Sequence, residues 1–105
     1  MYLIQGTVDV MVLKVLQSEA RHGFAISKAI RERSDGILGL EDAALYQALH
    51  RLERKGWLDS EWGLSENNRR AKYYQLTTEG RRNLKTQTSA WKRYSWAVSR
   101  VLELA

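Results

Sequence analysis

Between Asp42 and Lys55 two sets of side chains recur at helical spacing, and they differ in what they can bond. Leu45, Ala48, Leu49 and Leu52 fall at i, i+3, i+4 and i+7, an apolar stripe that seeks a core. Ala43, Gln47, His50 and Arg54 recur at i, i+4, i+7 and i+11, with Tyr46 and Arg51 on the flanks. Amide, imidazole, phenol and guanidinium groups on one helix face are the donors that base edges and phosphates accept. An ordinary solvated face has the same period. Glu41, Asp42 and Glu53 lean that way, although acids in a first turn also suit the helix dipole. A second polar and cationic cluster follows at Asn67, Asn68, Arg69, Arg70 and Lys72, suited to phosphates or a minor groove.

Other chemistry is poorly supplied. The only histidines, His22 and His50, stand 28 positions apart, and no carboxylate cluster has a metal-ligand spacing. There is no Cys, so disulfides, thiolate catalysis and cysteine-bound zinc are absent together. Gly-x-Ser-x-Gly, a phosphate loop and His-Glu-x-x-His are missing as well. Neither an enzyme nor a cofactor or metal site is expected.

The chain has 105 residues, 17 Lys+Arg against 12 Asp+Glu, a net charge of +5, four Trp and no Pro. That length suits one domain with a modest core. Residues 1–50 hold five basic and six acidic side chains, residues 51–105 twelve and six, so a polyanion is expected at the second half. Met1-Tyr2-Leu3-Ile4 has no basic n-region, and Asp9 and Lys14 interrupt the longest apolar stretch, Val8 to Leu16. No signal peptide or membrane span is expected, and a cytoplasmic location is.

The elements that must position these side chains follow from periodicity. Thr7 is expected to cap a first helix whose stripe is Val8, Met11, Val12, Val15 and Leu16. A break at Ser18–Gly23 leads into a second helix, Phe24 to Arg33, with Phe24, Ile26, Ala29 and Ile30 apolar and Asp35-Gly36 ending it. The third helix, Asp42 to Lys55, stops at Gly56. Trp57–Trp62 and Ala71–Leu76 then predict a β-hairpin around the loop 63–70, with Trp57 and Trp62 filling the core beneath it. Thr77 starts a last helix reaching about residue 103, roughly 38 Å long and too long for one small core. Its stripe of Leu84, Trp91 and Val98, with Tyr94, Val101 and Leu102, asks for a partner chain. Arg81, Arg82, Lys85, Lys92, Arg93 and Arg100 line the same helix, and Trp96 lies off the apolar stripe.

Helix, helix, helix, hairpin, long helix is the order of a mainly α fold with a small β-hairpin. It matches a winged helix-turn-helix (residues 1–76) followed by a long C-terminal dimerisation helix (residues 77–105). Ordered motifs resemble those of the PadR-like transcriptional regulators. Gly6-Thr7-Val8-Asp9-Val10-Met11-Val12-Leu13 is similar to that family's opening helix, and His22-Gly23-Phe24-Ala25-Ile26 to its His-Gly-Tyr-x-Ile turn. Leu45-Tyr46-Gln47-Ala48-Leu49-His50-Arg51-Leu52-Glu53 resembles its Leu-Tyr-Pro-Ala-Leu-x-x-Leu-Glu signature. Gly56-Trp57-Leu58, Arg70-Ala71-Lys72-Tyr73-Tyr74 and Leu76-Thr77-x-x-Gly80 resemble its hairpin and the start of its last helix.

The resemblance implies a dimeric bacterial transcription factor, commonly a repressor, binding double-stranded DNA. By carry-over, Tyr46, Gln47, His50 and Arg51 lie on the recognition helix and Arg69, Arg70 and Lys72 on the wing; the helical spacing adds Arg54, and the polar hairpin loop adds Asn67 and Asn68. Gln47 stands where the family has Pro, and Ala43 and Ala44 where it often has Gly and Ser or Thr, which removes a hydroxyl that meets the DNA backbone. Some family members hold planar aromatic compounds between tryptophans at the dimer seam, which makes Trp91 and Trp96 the effector candidates. Two chains paired through Leu84, Trp91, Tyr94, Val98, Val101 and Leu102 are expected to present two recognition helices about one DNA turn, roughly 34 Å, apart on a palindromic site. Arg51 and Arg70 are expected to be replaceable by Ala at the cost of DNA binding alone. The rival reading is a basic helical adaptor for RNA or an acidic protein.

Overall fold

The computed structural model describes residues 5–103; Met1–Ile4, read above for a leader, and residues 104–105 lie outside the described residues. The chain runs α1 (Gln5–Val15), β1 (Arg21–His22), α2 (Gly23–Arg33), α3 (Asp42–Arg54), β2 (Leu58–Leu64), β3 (Arg70–Leu76) and α4 (Thr78–Val101). The architecture is the expected one, mainly helical with a hairpin and a long last helix. One addition is β1, which makes the hairpin a three-stranded antiparallel sheet of order β1-β3-β2.

The helices form where apolar period demanded. Val8, Val12, Leu13 and Val15 of α1 with Leu16 just beyond it, Ile26, Ala29 and Ile30 of α2, and Leu45, Ala48, Leu49 and Leu52 of α3 merge in one core, closed below by Leu58, Tyr74 and Leu76 of the sheet. Gly56 ends α3 with φ +79°, the left-handed turn that glycine adopts without strain, and the Trp57 N–H returns to the Leu52 carbonyl at 3.0 Å.

Three local expectations are corrected. Thr7 is no cap, because α1 begins two residues earlier, at Gln5. Phe24 is not an apolar anchor of α2 but stands 75% exposed, since the inward positions are Ile26, Ala29 and Ile30. The break before α2 holds a strand too short for periodicity to show. Arg21 pairs with Tyr74 and His22 with Tyr73. The same two residues close neighbouring helix ends. Arg21 Nε donates to the Val15 carbonyl at 2.9 Å, and His22 Nδ1 accepts from the Ala25 N–H at 3.2 Å.

Thr77 caps α4 as expected, accepting from the Gly80 N–H at 2.9 Å, while its hydroxyl donates to the Gly56 carbonyl at 2.7 Å. One residue thus ties the foot of the hairpin to the start of the last helix. The first turns of α4 belong to the body: Gly80 is buried on the Trp57 backbone and Leu84 lies in the core. Leu84 is therefore buried by its own chain, which corrects its place in the exposed stripe; past it, Trp91, Tyr94, Val98, Val101 and Leu102 are all exposed. Among the described residues no helix is long and apolar enough to cross a membrane.

A Cβ at Gly80 runs into the Trp57 carbonyl oxygen, which is backbone and cannot yield like a side chain. Gly80→Ala is expected to cost about 1–3 kcal/mol in urea unfolding despite the higher helix propensity of Ala; an unchanged midpoint contradicts this seating of α4.

Candidate nucleic-acid interface

Helix α3 is held by both ends of its polar flank. Arg51 does not reach outward. Its guanidinium grips Asp9 of α1, Nη2 to Oδ1 at 2.6 Å and Nε to Oδ2 at 3.4 Å, with both side chains largely buried. A two-pronged pair of this kind uses the fork of donors that a phosphate would otherwise take. Arg51 is thus corrected from a DNA contact to the brace between α1 and α3. Periodicity placed it on the flank of α3 but could not supply a partner 42 residues away. The missed signal was Asp9, an acid spaced with Val12, Leu13 and Leu16 on the inward side of α1, where a carboxylate needs a cation.

Glu53 braces the other side. It accepts from Ser60 Oγ of β2 at 2.6 Å and lies 3.8 Å from Lys72 Nζ of β3. Between them the Tyr74 phenol is pushed above its usual value of 10.0, chiefly by burial and further by Glu53 and Tyr46.

Strand register decides what the wing presents. Ser60 lies opposite Tyr74, Trp62 opposite Lys72 and Leu64 opposite Arg70. Opposed residues and their i+2 neighbours share a face, so this series continues outward the face that Leu58 and Leu76 bury in the core. Trp62 consequently stands 58% exposed, correcting its assignment to the core; Trp57 is the half-buried one, packed against the core with Lys55 over its ring. Alternation identified the face, whereas how far the body extends beneath it is a tertiary fact.

Between this face and the helices lies an open cleft of about 610 Å³. Tyr46 and His50 of α3 form one wall, His22, Phe24 and Lys28 a second, and Trp62, Arg70 and Lys72 the third. The one carboxylate in its lining is Glu66, against Lys28, Arg69, Arg70 and Lys72. Of the sequence candidates, Tyr46, His50, Asn67, Arg69, Arg70 and Lys72 meet here. Gln47 and Arg54 are exposed on α3 outside the cleft lining. Asn68, at φ +58°, turns the loop tip and donates its N–H to the Ser65 carbonyl. Ala44 is half-buried against the core. Among the lining residues that the sequence did not assign to a site are His22, Phe24, Lys28, Trp62, Glu66 and Tyr74.

The two effector candidates do not meet within the chain. Trp91 lines a shallow groove of about 310 Å³ between α1 and α4 with Thr7, Val10 and Tyr94, its indole nitrogen 3.4 Å from Thr7 Oγ1. By helical spacing Trp96 lies on the opposite side of α4, the side that carries Lys92 and Arg93 one turn before it, with Arg100 5.7 Å from its ring centroid. Among the described residues no His, Asp and Glu side chains gather as a metal-binding group.

The sequence profile of the transcriptional regulator PadR-like family matches residues 12–86. The structure is similar to that of a transcriptional regulator from Clostridium thermocellum, with 32% identity, 92% of this chain and 94% of that one covered, and a TM-score of 0.83. It is also similar to a PadR family transcriptional regulator from Eggerthella lenta (31% identity, 96% and 86% covered, TM-score 0.78). A PadR family transcription regulator from Clostridium difficile is 29% identical, with 90% and 97% covered and a TM-score of 0.75.

Removing one member of a buried pair strands the other. Arg51→Ala is expected to lose about 3 kcal/mol of stability, and Asp9→Leu with Arg51→Met together clearly less; equal losses in urea unfolding contradict the brace. Tyr74 has the opposite pH signature from a salt-bridged acid. Its folded value is raised, so its contribution is complete below the ordinary tyrosine value and lost as pH rises through the folded one. Tyr74→Phe is expected to flatten the fall in thermal midpoint at alkaline pH; an equally steep fall contradicts it.

Proposed function

Because the chain belongs to the transcriptional regulator PadR-like family, whose work is DNA-binding control of transcription, we propose that it acts as a homodimeric repressor on a two-fold symmetric operator. The observation that carries this reading is the cleft, where the polar flank of α3 and the inner face of the wing converge with cations outnumbering acids. In this proposal residues 1–76 form the DNA-binding unit and residues 77–105 the pairing helix, whose first turns also complete the core. Tyr46, Gln47, His50 and Arg54 meet base edges and phosphates in the major groove; Asn67, Asn68, Arg69, Arg70 and Lys72 meet the backbone or minor groove beside it. Lys72 reaches DNA only by sharing its charge with Glu53.

Pairing is supported by the stripe Trp91, Tyr94, Val98, Val101 and Leu102, a run of large apolar side chains left exposed on one side of α4. An aromatic effector at Trp91, in the groove between α1 and α4, would act by binding one spacing of the two recognition helices better than the other.

Footprinting on the promoter upstream of its own gene, with fluorescence titration of the protected duplex, tests the reading. A dimer making about six to ten phosphate contacts is expected to lose roughly 10³ to 10⁵ in affinity between about 50 and 200 mM salt. Arg69→Ala is expected to reduce the salt slope by about one. Equal competition by mixed genomic duplexes, or a monomer in gel filtration at micromolar concentration, contradicts the proposal.

A further inference from the structure

Trp62 is a large apolar side chain set in a wall of the cleft with no core to fill. The Arg70 guanidinium carbon lies 4.5 Å from the centre of its ring. A guanidinium seated over a ring face is attracted through its charge and gives up no N–H to an acceptor atom of the protein, so donors remain for another partner. Of the other cations lining the cleft, Lys72 leans toward Glu53, while Lys28 and Arg69 have neither an ion pair nor a ring beneath them among the described residues. Arg51, on the edge of α3, has its donors on Asp9. Arg70 forms no ion pair among the described residues. It is the cation that is both held in place and chemically uncommitted.

We infer that Trp62 is a positioning residue for DNA binding, holding the Arg70 guanidinium in the orientation from which it takes a phosphate or base edge. The inference rests on the DNA-binding reading above. An arginine on a hairpin tip otherwise samples many rotamers and loses them on binding, so a ring that fixes it beforehand raises affinity without touching the duplex. Register explains why the pair exists. Trp62 and Leu64 on β2 face Lys72 and Arg70 on β3, so Arg70 is the diagonal neighbour of Trp62 on one face, within reach of a long side chain.

A thermodynamic cycle on the full chain, using one duplex selected by the wild type, tests this. Trp62→Ala is expected to weaken binding about fivefold, Trp62→Phe to keep most of the affinity, and Trp62→Ala to add nothing once Arg70→Ala is present. The urea midpoint of Trp62→Ala is expected to stay near that of the wild type, since the ring is mostly exposed. Equal weakening by Trp62→Ala with and without Arg70, or no weakening at all, overturns the inference while leaving the DNA-binding reading intact. A wild type that selects no duplex overturns both.

Discussion

The fold turns on a buried carboxylate. Asp9 sits on the inward side of α1 among valines and leucines, where an unpaired charge is too costly to keep. Its partner must be a cation from another element, and Arg51 is the one that arrives, two-pronged and from α3. Apolar packing alone leaves a helix some freedom to roll; a directional pair at one edge removes it. With α3 fixed by Arg51 on one side and by Glu53 on the other, Tyr46 and His50 face the wing. The wing itself is registered on β3, and β3 on Arg21 and His22, which also close the ends of α1 and α2.

A consequence concerns the basic residues. The second half of the chain is rich in them, but charge that holds the protein together is not charge that meets a polyanion. Arg51 is spent on Asp9 and Arg82 on Glu79, and Lys72 is shared with Glu53. What remains at α3 and the wing includes Arg54, Arg69 and Arg70, with Lys55 over the Trp57 ring and Arg70 over that of Trp62. On α4 the cations collect opposite the apolar stripe, so the helix offers a greasy side and a basic side, and Trp96 belongs to the basic one.

Much of this was legible in the residues. The leucines of α3, the stop at Gly56 and the cap at Thr77 rest on local period and turn chemistry, which a sequence carries in full. The order of elements pointed to a winged helix, and the hairpin residues that gather in the cleft were among the candidates. What stayed hidden depends on distance across the fold. Arg51 looked like a free donor because Asp9 is remote in sequence. Leu84 shared a heptad with Trp91, yet a heptad does not say whether its partner is the same chain or another. Trp62 had the right alternation for a core residue, but the body ends beneath it. Strand β1 has two residues and exists because β3 offers an edge.

The most direct test follows the four indole N–H resonances of the 15N-labelled protein as an operator duplex is added. Trp62, in the cleft wall, is expected to shift strongly while Trp57, packed against the core, and Trp96, on the basic side of α4, stay in place. A spectrum in which Trp96 moves and Trp62 does not contradicts it, and moves the nucleic acid from the recognition helix and wing to the last helix.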